Sequence, residues 1–286
     1  MKTHVTFGAL LFAAALLGSL PYIITPSQAS QQVLPAAPYS ASNTAGAAAY
    51  NVGLFIGLAA IATAFIYLVM RYKKLFKAFI AVVWLLVITG IFWAYAVKYY
   101  ACGLLPDYAA EALFYAPFVV APFLIYAIFK WRWDLAIALF SALAGTMVVW
   151  ILPPITIIAL LLVLPIYDLL MVYWGLLGRI VRKAKEELPR QPQAGAPREP
   201  PLLGLMAKVG DISVGTGDFF TYSTALTYIG IKYSAFGPLA SLLAIAAGLA
   251  LIYTGFLLTV RLLLRRFGYA PALPIPIALV LPLLLL

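Results

Sequence analysis

The segment SVGTGDFFTYS, Ser213 to Ser223, places a carboxylate inside a run that is otherwise apolar enough to enter a membrane. Asp218 follows Gly215 and Gly217, and the apolar run around it extends from Leu202 to Ile231. A carboxylate in hydrocarbon is costly, and such residues usually face a bundle interior or a wet cavity. The segment therefore predicts a membrane-spanning helix whose acid has a functional role.

The composition of the whole chain agrees with a membrane environment. Of 286 residues, 65% are hydrophobic and 10% are charged, and the mean hydropathy is +1.03. A soluble domain of this length could not bury so much apolar surface, and the chain divides into runs of about twenty apolar residues, the length that crosses a bilayer. The sequence therefore predicts an all-α, multi-pass protein of the cell membrane, in contact with the lipid bilayer.

Nine apolar segments are predicted to span the membrane. They are Thr6–Ile24, Ala49–Met70, Ala78–Val97, Ala110–Phe129, Leu135–Ile151, Ile155–Gly178, Leu202–Ile231, Phe236–Val260 and Phe267–Leu286. The first resembles a secretory signal, because Lys2 precedes it and the small-residue stretch PSQAS follows. Its apolar run is long for a signal core, so we expect this span to be retained.

The basic residues orient the nine segments. With the N-terminus in the cytoplasm, every Lys and Arg except Lys98 and Lys232 falls on the cytoplasmic side. Basic loops stay on that side, so the sequence predicts a cytoplasmic N-terminus and an extracytoplasmic C-terminus. The net charge of +10 reflects this topology, and nucleic acid is not an expected partner.

A charged, proline-rich stretch divides the chain into two parts. It reads RKAKEELPRQPQAGAPREPP, residues 182–201, and its composition is typical of a flexible cytoplasmic linker. Residues 1–181 then form an N-terminal part of six spans, and residues 202–286 form a C-terminal part of three.

Only two of the nine acidic residues lie deep within predicted spans, Asp168 in the sixth and Asp218 in the seventh. Asp168 precedes Arg179 by eleven residues, and Asp218 follows Lys208 by ten. At a helical rise of about 1.5 Å per residue, both acids lie roughly 15 to 17 Å from these cytoplasmic charges. Because consecutive spans run antiparallel, we expect the two carboxylates to form a pair.

Such a pair has a defined chemistry. Two adjacent carboxylates share a proton, so one can accept a proton from water while the other donates to a peptide carbonyl. This chemistry needs no metal or cofactor. Gly215 and Gly217 would let another backbone approach Asp218, and Pro165 is expected to kink or break the sixth span near Asp168.

The residue inventory excludes other intramembrane proteases. His4, at the N-terminus, is the single histidine. A rhomboid-like serine protease would need a histidine base within the membrane, and a metalloprotease would need the two histidine ligands of an HExxH motif, so neither class fits this sequence. The alternative from another class is a cation or proton pathway, or transporter, that uses Asp168 and Asp218 as buried carboxylates. A purely structural hydrogen-bonding role for either acid also stays open at this point.

Three short motifs, taken together, resemble those of a known family. They are PIYDLL with Tyr167 and Asp168, GTGDFFTYS with Asp218, and APALPIP after residue 269. In this order, on the sixth, seventh and ninth segments, they resemble the YD, GxGD and PAL motifs of the presenilin and signal peptide peptidase family. GxGD alone also occurs in type IV prepilin peptidases, which lack the YD and PAL motifs.

The resemblance implies an intramembrane aspartyl endopeptidase that cleaves within a transmembrane helix of its substrate. It makes Asp168 and Asp218 the catalytic pair. The substrate-binding residues that it implies are Tyr167, Gly215, Thr216, Gly217, Pro271, Ala272, Leu273 and Pro274. No metal, cofactor or obligatory accessory subunit is implied, and a homo-oligomer is compatible with it.

The predicted orientation and the run DFFTYS resemble the presenilin branch, since signal peptide peptidases have the opposite orientation. Thr216 stands where leucine is commoner, and residues 182–201 lack the hydrophobic insert associated with presenilin self-cleavage. The short loops and tails resemble archaeal members of the family. Residues 271–274 are expected to be extended, at about 3 Å per residue, to reach the acids and to pair with an unwound substrate as a strand.

Overall fold

The structure is a computed structural model that describes residues 2–30, 34, 38–173, 175, 204–210, 212–264 and 270–286. The predicted linker, residues 182–201, lies outside the described residues, as does the start of the ninth predicted segment. The division of the chain into six and three spans therefore stays a prediction.

The described residues form eleven α-helices, a β-hairpin and one π-helical stretch. The helices are α1 (Lys2–Ile24), α2 (Pro26–Ala29), α3 (Ala45–Val69), α4 (Lys73–Ala101), α5 (Asp107–Tyr115), α6 (Pro117–Trp131), α7 (Asp134–Ile151), α8 (Pro154–Tyr173), α9 (Thr216–Ser234), α10 (Pro238–Thr259) and α11 (Pro274–Leu285). The strands are β1 (Met206–Val209) and β2 (Ile212–Gly215), and the π-helical stretch is Val260–Leu264.

Within the described part of the chain, six helices are long and apolar enough to cross a membrane, or seven if α5 and α6 count as one span. The six are α1, α3, α4, α7, α8 and α10 with its π-helical extension. Each of the nine predicted segments coincides with at least one helix, but α9 is more polar than these six and α11 is only 12 residues long. The chain is therefore a helical, polytopic membrane protein.

Helix α9 lies at the centre and packs against α7, α1 and α10. Its hydroxyl side chains bond carbonyls of α7: Ser223 Oγ donates to Ala142 O at 2.6 Å, and Thr224 Oγ1 donates to Gly145 O at 3.1 Å. Small residues and interhelical hydrogen bonds replace the hydrophobic effect as the source of helix association in a membrane. Ala14 and Ala15 of α1 are fully buried in this core.

Helix α8, which carries Asp168, packs against α3 and α11 and touches α9. It continues without interruption from Pro154 to Tyr173, with Pro165 inside it. The helix break that Pro165 allows is therefore absent. An internal proline removes only one backbone donor, and neighbouring helices make such a residue tolerable in a membrane-spanning helix.

The prediction of one continuous span from Leu202 to Ile231 is wrong. Residues 206–215 form the β1–β2 hairpin, with Lys208 opposite Ser213, and α9 begins only at Thr216. Gly210, at a φ of 65°, lies at the turn between the two strands. Because the chain folds back here, the ten residues from Lys208 to Asp218 do not rise along a helix, and the depth estimate for Asp218 fails with them.

Two other predicted segments differ in detail. The fourth is not straight, since α5 and α6 meet at an angle of 42° where Pro117 starts α6. In the ninth, residues 271–273 are not helical, but Leu273 has helical dihedral angles (φ −84°, ψ −37°) and α11 begins at Pro274, so the expected extended conformation is wrong for these two residues. A proline is readily accepted in the first turn of a helix, because the amide that it lacks would have no partner there.

The two lysines at the predicted extracytoplasmic ends use backbone carbonyls. Lys98 is buried and its Nζ donates to Ala29 O at 2.7 Å, while Lys232 Nζ donates to Leu284 O at 2.9 Å. Carbonyls at a helix end lack intrahelical partners, and a cation there is favourable. These two lysines therefore have local structural partners.

Candidate active site between α8, α9 and residues 271–273

Asp218 lies in the first turn of α9. Its Oδ2 accepts a hydrogen bond from the backbone N–H of Gly215, the residue that caps the helix, at 3.0 Å. Backbone donors at a helix N-terminus have no intrahelical partner and favour a negative charge. The four residues of the GxGD motif therefore contain the end of the hairpin at Gly215, the start of α9 at Thr216 and the carboxylate of Asp218, which the Gly215 N–H holds in place.

Asp168 reaches the same region from α8. Its Oδ2 accepts a hydrogen bond from the backbone N–H of Leu273 at 3.1 Å, across 105 residues of sequence. The N–H of Ala272 also faces this carboxylate. The N–H groups of Ala272 and Leu273 are free to donate because these residues precede α11 and are not helical. The YD and PAL motifs are thus in direct contact.

The two carboxylates lie close enough to interact electrostatically. Within the described chain, no hydrogen bond joins Asp168 directly to Asp218, and each is held by backbone N–H groups of its own neighbour segment. Asp168 and Asp218 therefore lie within electrostatic range of each other, although the helical depth count that predicted their proximity was not correct.

Tyr222 is a site residue that was not among the predicted catalytic or substrate-binding residues. Its hydroxyl donates to Ala272 O at 2.6 Å, and the phenol lies within electrostatic reach of both carboxylates. Tyr222 follows Asp218 by four residues on α9, so that the two side chains share one face of the helix. This spacing is the sequence signal that could have identified it.

The other predicted site residues surround this centre in different ways. Gly217 is exposed, and a Cβ built on it would have no neighbour within 4 Å, whereas a Cβ at Gly215 would lie 3.3 Å from Asp218 Oδ2. Tyr167 Oη is buried without a hydrogen-bond partner among the described residues. Thr216 begins α9, Pro271 is buried, and Pro274 begins α11.

The hairpin holds the start of α9 in place. Thr216 N donates to Leu205 O at 3.0 Å, and the backbone N–H of Lys208 contacts the Asp134 carboxylate at the start of α7. Val209 and Val214 are buried against the core. The residues before Asp218 are therefore packed against α7 as part of a hairpin and do not form a free loop.

Within the described residues, no group of three or more His, Cys, Asp and Glu side chains is placed to hold a metal ion. The groups that the described residues bring to this centre are two carboxylates, a phenol and several backbone amides. Comparison with known proteins adds nothing to this description: no family model matches the chain, and no curated protein is significantly similar to it.

Proposed function

We propose that this protein is an intramembrane aspartyl endopeptidase of the presenilin and signal peptide peptidase type, which hydrolyses peptide bonds within transmembrane helices of other membrane proteins. The observation that carries the proposal is the convergence of three distant segments. Asp168, Asp218 and the Ala272–Leu273 backbone meet at one point, although they come from α8, the start of α9 and the residues before α11.

The proposed reaction uses the two carboxylates as a unit. The ionised member of the pair takes a proton from a water molecule as the water oxygen attacks the substrate carbonyl carbon. The protonated member donates to the carbonyl oxygen, and the tetrahedral intermediate then collapses as a proton is delivered to the leaving nitrogen. No group on the protein becomes covalently attached, and the proton passes between the carboxylates over one turnover.

An extended substrate has a neighbouring strand to pair with. Strand β2 ends at Gly215. Among the described residues the sheet has only two strands, so each strand has one edge that no third strand pairs with. A transmembrane helix that unwinds for cleavage exposes backbone groups that must be satisfied. Addition of the unwound segment to such an edge would supply these partners beside Asp218.

The full topology belongs to the same proposal. We place nine crossings in the cell membrane, with the N-terminus in the cytoplasm. The two connections α3–α4 and α6–α7, together with the helix ends beside them, carry Arg71, Lys73, Lys74, Lys77, Lys130 and Arg132, and β1 carries Lys208. These lie at the end of the bundle where α1 and α9 begin, which supports a cytoplasmic assignment of that end.

Cleavage of a single-pass membrane protein in liposomes tests the proposal directly. We expect purified protein to cut within the transmembrane segment without added metal, and a peptide analogue with a hydroxyl in place of the scissile carbonyl to inhibit it. Transition-state analogues of this kind bind about 10² to 10⁸ times more tightly than substrates. Cleavage only outside the membrane segment, or no inhibition by the hydroxyl analogue, would contradict the proposal.

Gly217→Ala is expected to lower kcat/KM about tenfold without lowering thermal stability. A Cβ at this position meets nothing in the free protein, so folding is undisturbed. The added methyl group occupies the exposed approach to Asp218, where the substrate backbone must come close. The measurement compares cleavage and melting temperature with those of Gly57→Ala, a glycine on α3 that also has no neighbour within 4 Å. Equal activity in the two variants would refute the close approach.

A further inference from the structure

A single peptide unit connects Tyr222 to Asp168. The carbonyl of Ala272 accepts from Tyr222 Oη at 2.6 Å, and the N–H of Leu273, which belongs to the same peptide bond, donates to Asp168 Oδ2 at 3.1 Å. In a trans peptide the C=O and N–H groups point in opposite directions. Tyr222 and Asp168 therefore hold this unit from two sides, one from α9 and the other from α8.

The two hydrogen bonds reinforce one another. A donor on the carbonyl oxygen polarises the amide and makes its N–H a stronger donor, and such cooperativity adds about 10 to 30% per bond. The geometric effect is larger, because the unit is not part of a helix and no other described hydrogen bond is given to Ala272 O. Tyr222 thereby sets the direction in which the Leu273 N–H points.

We propose that Tyr222 is a positioning residue for Asp168, acting through the Ala272–Leu273 peptide unit, and that it fixes Asp168 relative to Asp218. The inference rests on the proposed function, since it assigns Tyr222 to the same proteolytic site. Tyr222 and Asp218 lie one turn apart on the same face of α9. Because Tyr222 also binds the peptide unit that contacts Asp168, it links the position of Asp168 to that of Asp218.

A structural role of the aromatic ring can be separated from the role of the hydroxyl. The ring of Tyr222 is buried and borders a cavity of about 50 Å³ together with Phe7 and Phe219. Tyr222→Phe preserves this apolar wall and removes only the donor to Ala272 O. A residue that merely fills space would tolerate that change.

We expect Tyr222→Phe to lower kcat about tenfold while KM changes by less than about twofold, because misplacing a catalytic group affects the transition state more than substrate binding. The matched control is Tyr228→Phe, a partly buried tyrosine on the same helix. An unchanged kcat in Tyr222→Phe, or an equal loss in both variants, would overturn the inference.

A second comparison tests whether Tyr222 acts through the peptide unit. Leu273→Pro removes the N–H of the Ala272–Leu273 peptide unit, leaving the Ala272 N–H beside Asp168, and the φ of −84° at Leu273 is close to the value that proline imposes. Leu273→Ala loses the same side chain but keeps the N–H. We expect Tyr222→Phe to lower kcat about tenfold in the Leu273→Ala background and less than about twofold in the Leu273→Pro background. Equal losses in both backgrounds would overturn the inference.

A readout without catalysis separates this inference from the proposed function. Cys102 is the single cysteine, so a Cys102→Ala, Ala272→Cys protein has one thiol, at a position that is half-buried in the structure. We expect Tyr222→Phe to raise its rate of maleimide labelling about threefold or more, since the segment loses its hydrogen bond to α9. An unchanged rate would overturn the positioning role even if the protein cleaves. A faster rate would support the anchor even if the unchanged protein does not cleave, an outcome that would refute the proteolytic function alone.

Discussion

Asp168→Ala and Asp218→Ala are each expected to reduce cleavage of a single-pass substrate by a factor of about 10³ or more, since the pair supplies both the general base and the general acid. Neither acid can replace the other, because each is fixed by a different backbone segment, Asp218 by Gly215 and Asp168 by Leu273. Initial rates of product formation in liposomes, with equal amounts of folded protein, measure the effect.

Asparagine variants separate chemistry from structure. Asp168→Asn and Asp218→Asn keep an oxygen that can accept the backbone hydrogen bond, so we expect melting temperatures near that of the unchanged protein with cleavage still lost. Glu111→Ala is the matched control, because it removes an exposed acid on α5, where the structure places no catalytic group. Its cleavage rate should match that of the unchanged protein.

The same variants test the alternative of a cation or proton pathway. A transport pathway would respond in a graded way and would keep part of its conductance when one carboxylate becomes an amide. If more than about a tenth of the cleavage rate survived in either alanine variant, the two-carboxylate mechanism would be refuted, since loss of general acid–base catalysis costs at least about 10²-fold.

Much of the helical fold could be predicted from the length of apolar runs. Runs such as Ala49–Met70 and Ala78–Val97 coincide with α3 and α4 because about twenty apolar residues in lipid have no alternative to the helix that satisfies their backbone. The ends were less predictable. Helix α3 begins four residues before its predicted start, at the small residues 45–48, and α4 begins five residues before its own, with a turn that contains three lysines.

The hairpin before α9 was missed because mean hydropathy does not distinguish a buried strand from a buried helix. The sequence MAKVGDISVG does carry a turn signal, since Gly210 and Asp211 separate two short stretches rich in β-branched and small residues. Pro117 gave a comparable signal for the bend between α5 and α6. Both signals come from one or two residues, and a mean hydropathy taken over about twenty residues does not register them.

The two candidate catalytic residues could be predicted from the sequence, but the backbone groups that hold them in place could not. Acidic residues are so scarce in this chain that Asp168 and Asp218 stand out from the inventory alone. The backbone donors that hold them have no side-chain signature, because any residue can offer an N–H group at a helix start or in a non-helical segment. The link from Tyr222 to Ala272 spans 50 residues and depends on how α9 and α11 pack.

Gly145→Ala has the second large effect that we expect, a loss of folded protein. A Cβ built on Gly145 of α7 would overlap Phe220 O and Ser223 Oγ of α9. Phe220 O is a backbone atom and cannot rotate away, so α7 and α9 would have to separate. Overpacking of this kind costs about 1 to 3 kcal/mol or more. It would also weaken the bonds from Ser223 to Ala142 O and from Thr224 to Gly145 O.

Thermal unfolding in detergent measures this effect, with Gly57→Ala as the control because its added methyl group meets nothing within 4 Å. The melting temperature of Gly145→Ala should fall by several degrees while that of the control stays constant. Phe220 follows Asp218 by only two residues, so any Gly145→Ala protein that folds should carry a displaced Asp218 and cleave more slowly per folded molecule. Full stability in Gly145→Ala would mean that α7 and α9 do not approach as closely as the structure requires.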